Sequence, residues 1–193
     1  MAEDQLGDRV DRLSGRPLRQ PDQRSCGAAV LVVARALEDP SYAALLDEPG
    51  VFSAAVLDVH RRVTSAADTR GRAQLPWPQA LGTPPWAVAR QRAGDTGIPH
   101  HTRLHRFSPG MAFDRIAAAS AATTVPVYVG SRLLPRHVVL ALGVDGGRLA
   151  CYEPSSGRVV WVDRTAFATG RLGLGRWGVV WFSVQPAARR IPA

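Results

Sequence analysis

The sequence predicts an α+β protein, with helices in its first half, an antiparallel sheet in its second, and an early helix packed on that later sheet. Three observations carry this expectation. The alanine-rich run "SCGAAVLVVARAL" (25–37) is apolar on nearly every face and ends at "EDP". Strand-like, β-branched segments cluster after residue 124. Between two of them stands "DGG" (145–147), the residue chemistry of a tight hairpin turn.

Taken in order, residues 1–16 read as a polar lead-in, residues 17–185 as one domain and 186–193 as a tail. Ser25 is a suitable N-cap for the helix of 25–37, and its alanines and leucines are strong helix formers. Val30, Val32 and Val33 would suit a buried strand, but the length and alanine content favour a helix buried on all sides. Residues 41–68 read as two helical pieces broken near Pro49–Gly50. "LPWPQALGTPPW" (75–86) is a proline-rich loop leading into a short helix, "WAVARQRAG". "GIPHHTRLHRF" reads as a strand and "DRIAAASAA" as a helix. "TVPVYVG", "HVVLALGV", "RLACYEP", "GRVVWVD" and "WGVVWFSV" follow as strands.

Composition narrows the function. An apolar content of 46% over 193 residues suits one folded domain with a substantial core. The longest uncharged apolar run, Cys26 to Ala34, is far short of the ~20 residues that span a bilayer. The opening "MAEDQLGDRVDRL" is charged, so no secretion signal is expected and the protein should be cytoplasmic with reduced thiols. Two cysteines make no disulfide framework and no structural zinc site. The net charge of +8 is spread along the chain without aromatic–basic alternation, so no nucleic-acid partner is expected. All 24 positive side chains are arginine. Without lysine there is neither a Walker-type phosphate loop nor a Schiff-base mechanism. "HHTRLH" spaces His101 and His105 as a helix would for a metal, but Pro99 and the alternation favour a strand, and no acidic ligand is near. No metal or other cofactor is expected.

The residues that point to chemistry gather around Cys26. A thiol attacks as thiolate, and a helix N-terminus or a neighbouring imidazolium favours that form. Cys26 follows the N-cap of the predicted helix, and Gly27 would leave room for a substrate backbone. Of the five histidines, His137 heads a strand, where it can face a site. The partner strand of the "DGG" hairpin ends in Glu153, sixteen residues later, so antiparallel pairing brings a carboxylate beside the imidazole. The chain has no asparagine, which leaves a carboxylate, a glutamine or a carbonyl to orient that histidine; Glu153 is the best placed. An oxyanion could be held by the Cys26 N–H and by the amide of Gln20, six residues upstream, whereas Gln23 is only three away. Trp86, after "GTPP", is placed to border a cleft. Cys151, inside a strand, reads as core.

"RQPDQRSCGAAVLVVARAL", "LGTPPWAVARQ" and "RHVVLALGVDGGRLACYEPSSGRVVWVDRTAFA" together resemble a papain-like cysteine peptidase of the bacteriocin-processing, double-glycine leader type. The resemblance covers residues 17–185. It implies a papain-like fold with a buried nucleophile helix, and Cys26 as nucleophile, His137 as general base, Glu153 as orienting group and Gln20 as oxyanion donor. The family's aspartate-proline is here Glu153-Pro154. The function implied is a thiol hydrolase cleaving a peptide or isopeptide bond in a peptide or protein substrate. The alternatives are a thiol acyltransferase or deamidase using the same residues, and a non-catalytic peptide-binding module.

Overall fold

The computed structural model describes residues 2–15 and 18–187. The helices are α1 (Ala2–Leu13), α2 (Cys26–Glu38), α3 (Pro40–Leu45), α4 (Val51–Thr64), α5 (Pro85–Thr96), α6 (Pro109–Ser120) and α7 (Arg164–Thr169), with a 3-10 turn at Gln79–Leu81. The strands are β1 (His100–Leu104), β2 (Val125–Gly130), β3 (Pro135–Asp145), β4 (Arg148–Glu153), β5 (Arg158–Asp163) and β6 (Val179–Pro186). They form one antiparallel sheet in the order β1-β6-β2-β3-β4-β5. The α+β expectation holds, and α2 does pack on β3 and β2.

The sheet is covered on both faces. Val138, Leu140 and Leu142 of β3 join a core with α1, α2, α4 and α5, while Val139 and Ala141 join a second core with Phe113 and Ile116 of α6 and Phe167 of α7. This is why "HVVLALG" and "LACYE" are nearly continuous apolar runs: alternation between core and solvent disappears when both faces are buried. Helix α2 is the hub of the first layer. Ten of its thirteen residues are buried, and it touches α3, α4, α5 and the sheet. Each fully buried Val or Leu there contributes about 1.5–3 kcal/mol against solvent. Its C-terminal end is clamped by Arg92 of α5, whose buried guanidinium lies on Glu38 with contacts of 2.9 and 2.6 Å and also reaches Thr123.

The sequence reading missed two helices. Residues 2–13 are not a polar lead-in but α1, with Leu6 and Leu13 buried and Val10 packed against the same core. Their i, i+4, i+7 spacing makes a narrow apolar stripe that the surrounding charges hide. Leu6 seats on Gly143, where a bulge in β3 holds φ at +153° and a side chain would be strained. The Arg9 guanidinium donates to the carbonyls of Ser120 and Leu142. The short α7 was also unforeseen; Asp163 caps it by accepting from the Ala166 N–H at 2.7 Å. Of the expected tail, Pro186 still belongs to β6, the Ala187 N–H donates to the Pro99 carbonyl at 2.7 Å, and residues 188–193 lie outside the described residues. Among the described residues no helix is long and apolar enough to cross a membrane.

Candidate active site

Three main-chain and side-chain ties bring the approach to α2 beside the end of β4. The Tyr152 hydroxyl donates to the Leu18 carbonyl, Arg19 Nε to the Ser155 carbonyl at 3.0 Å, and the Gln20 N–H to the Pro154 carbonyl at 2.9 Å. The chain then turns at Asp22, whose Oδ1 accepts the N–H groups of Arg24 (2.8 Å) and Ser25 (2.9 Å). Ser25 occupies the N-cap as expected, but its hydroxyl makes no capping bond; the turn is shaped by Asp22 instead. Cys26 is therefore the first residue of α2, where main-chain N–H groups lack partners within the helix.

Strand β3 delivers His137 and β4 delivers Glu153. His137 Nε2 donates to Glu153 Oε1 at 2.7 Å, with both side chains buried. This leaves Nδ1 as the ring's other nitrogen, and Cys26 is the second side chain that acts on the ring. Burial alone would lower the pKa of His137. The neighbouring Cys26 and the Glu153 carboxylate outweigh it and push the value up to about 9. Glu153 is likewise opposed by burial, yet is held well below the ordinary carboxylate range by His137 and the residues just after it. Its Oε1 also accepts from the Ser155 N–H (2.9 Å) and hydroxyl, and Oε2 from the Ser156 N–H at 2.9 Å. The carboxylate is thus held ionised and aimed at the imidazole. Imidazole and carboxylate form one hydrogen-bonded pair, with Cys26 beside the ring.

Cys26 and His137 lie in the wall of a cleft of about 480 Å³, within the range of small-molecule and peptide-residue sites. Trp77, Leu81, Thr83, Pro84, Tyr128, Leu134 and Phe182 line it, together with Arg24 and Arg136. The Tyr128 hydroxyl donates to the Thr83 carbonyl at 2.8 Å; burial and the nearby Cys26 charge push its pKa well up, so it stays a neutral donor.

The other expected residues fare differently. Gln20 does not line the cleft: its main chain is tied to Pro154 and its amide nitrogen donates to the Asp22 carbonyl at 2.5 Å. Gln23, set aside on spacing, does line it, because the turn at Asp22 swings that residue outward. The space beside Gly27 is filled by the protein itself, since a Cβ there would stand 2.7 Å from Thr83 Cβ. Trp86 sits behind Trp77, edge to face at 5.2 Å, and lines a neighbouring groove; Trp77 is the tryptophan of the cleft. Trp77 stands between two prolines in "PWP", a rigid presentation the sequence did offer. Cys151 lies in the core of the opposite sheet face, and burial pushes its thiol up to about 12. His101 is on β1, while His105 is fully buried with Nε2 on Ser183 Oγ at 2.7 Å. Burial, with Arg115 and Arg103 nearby, lowers the pKa of His105 to about 4.

No protein-family model matches this chain, and no curated protein sequence matches it either.

Proposed function

We propose that the chain is a papain-like thiol hydrolase that cleaves a peptide or isopeptide bond through Cys26, His137 and Glu153. The observation that carries this reading is the buried His137–Glu153 pair, bonded at 2.7 Å, with His137 and Cys26 together in the wall of one cleft. The Cys26 thiol passes its proton to His137, Sγ attacks the carbonyl carbon as thiolate, and the electron pair of the C=O moves onto oxygen. The Cys26 N–H, at the head of α2, is placed to receive that oxyanion. A side-chain donor can come from Gln23, already in the cleft wall, or from Gln20 once it releases the Asp22 carbonyl. The oxyanion collapses, the C–N bond breaks, and the His137 imidazolium gives its proton to the departing amine. Neutral His137 then takes a proton from water, which attacks the thioester and frees the acid and the thiol. Glu153 keeps the ring oriented and stabilises its charged form.

The test is incubation with a complex peptide library, read by mass spectrometry, for wild type and Cys26→Ala. New peptide termini that require Cys26 support hydrolysis. Conversion of glutamine to glutamate, or amine conjugates, would redirect the same residues to deamidation or acyl transfer. A library unchanged by wild type, with no acyl adduct on Cys26 in acid-quenched samples, contradicts the reading.

A further inference from the structure

A second groove, of about 430 Å³, lies between α5, the turn at 70–72 and β1, and the chemistry above makes no use of it. Arg70, Arg72, Arg90, His100 and His101 line it together with Trp86. One carboxylate contacts two of these three guanidinium groups. Asp68 contacts Arg72 at 3.0 Å and Arg90 at 3.9 Å, while Arg70 Nη2 donates to the Ala93 carbonyl at 3.0 Å. Among the described residues no acidic side chain lines the groove, so those that line it carry an excess of positive charge.

The groove also runs along an open sheet edge. Among the described residues, strand β1 is terminal in the sheet and pairs only with β6. The Ala187 N–H donates to the Pro99 carbonyl and the His105 N–H to the Trp181 carbonyl. His101 and Arg103 stand between these in register with Gln185 and Ser183. The odd-numbered residues therefore turn their main-chain groups to β6, and His100, Thr102 and Leu104 turn theirs away from the sheet. His100 and Thr102 line the groove.

We propose that this groove docks an extended acidic peptide segment, added as a strand along β1 with its carboxylates against Arg70, Arg72 and Arg90. Main-chain bonds to the edge would supply affinity and the arginines the selection for acidic side chains. Alternate residues of an extended peptide recur every ~7 Å on one face, so a Glu at every second position can meet successive guanidinium groups. Trp86 of the groove and Trp77 of the cleft meet edge to face, so a chain held here lies next to the cleft. That this chain is the substrate rests on the hydrolase reading; the docking itself does not.

The experiment uses Cys26→Ala protein and fluorescein-labelled octapeptides of alternating Glu-Thr or Lys-Thr, followed by fluorescence anisotropy. The Glu-Thr peptide is expected to bind at low salt and to weaken as salt screens the arginines; the Lys-Thr peptide is expected not to bind. The double variant Arg70→Glu/Arg90→Glu should weaken binding at least ~10-fold by placing like charges against the ligand. Thr102→Pro removes an N–H that serves no bond within the sheet, a position where proline is tolerated at an edge, and should weaken binding comparably. An unchanged circular dichroism spectrum shows that each variant is folded. No binding of the Glu-Thr peptide, equal binding of the Lys-Thr peptide, or binding indifferent to either variant overturns the proposal. Docking of the Glu-Thr peptide together with a peptide library that wild type leaves unchanged and no acyl adduct on Cys26 contradicts the hydrolase reading and leaves the groove assigned.

Discussion

Replacing Glu153 by Gln removes one charge while keeping the shape of the side chain. Oε1 serves His137 and both donors of Ser155, and Oε2 serves only the Ser156 N–H. The amide should therefore keep its oxygen toward His137 and turn its NH2 onto the Ser156 N–H, a donor facing a donor. A hydrogen bond to a charged group contributes about 1.5–3 kcal/mol, and 1.36 kcal/mol moves a pKa by one unit. Reducing that bond to a neutral one should lower the pKa of His137 by about one unit, up to about two, from its value of about 9. The variant should lose roughly 10- to 10⁴-fold in kcat, the upper end being the loss when the aspartate of a serine-protease triad becomes an amide. The assay is the pH dependence of turnover and of iodoacetamide alkylation. Wild type should lose its imidazolium-dependent limb near pH 9, and the variant at correspondingly lower pH. The same shift appears in stability. A raised histidine pKa stabilises the fold fully below about 6.5 and loses that contribution as pH rises through about 9. Full turnover with an unmoved alkaline limb in Glu153→Gln would refute Glu153 as the orienting group.

His137→Ala should abolish turnover, whereas alanine at His60, His100, His101 or His105 should leave most of it; loss in a His101/His105 double variant with His137→Ala active would move the site elsewhere. Gly27→Ala should destabilise by about 1–3 kcal/mol, read in chemical denaturation, because its Cβ overlaps Thr83. Adding Thr83→Gly, which removes the overlapping Cβ, should recover part of that loss, and a strictly additive pair would contradict the contact. Glu38→Gln should cost about 2–4 kcal/mol, since it leaves the buried Arg92 guanidinium without its carboxylate. Replacing both partners by methionine should cost less than the single change.

How far the sequence carried the account follows from what each signal depends on. The hairpin was legible because Asp-Gly-Gly between apolar runs admits few other conformations, and its register put His137 near Glu153. Helix α2 was legible from length and alanine content. Helix α1 was not, since its stripe of Leu6, Val10 and Leu13 becomes apolar surface worth burying only when the Gly143 bulge exists to receive it. The oxyanion and cleft residues depended on loop direction. Whether Gln20 or Gln23 faces the cleft is decided by a turn at Asp22 and a tie to Pro154, both set by tertiary contacts. Gly27 illustrates the same limit: the sequence showed that space was needed beside Cys26, and the fold decided that Thr83 would occupy it.

The central claim is that Cys26, and not merely any thiol of this chain, is activated by its neighbours. Its most direct test is competitive alkylation by iodoacetamide at pH 6 in the native protein, with Cys26 and Cys151 quantified by peptide mass. Cys26 lines the cleft together with the His137 imidazole, while Cys151 is 1% exposed in the opposite core, with its thiol pushed up to about 12. The account predicts that Cys26 is modified well before Cys151, and that His137→Ala removes this advantage at pH 6. Equal rates, or Cys151 reacting first, would contradict it.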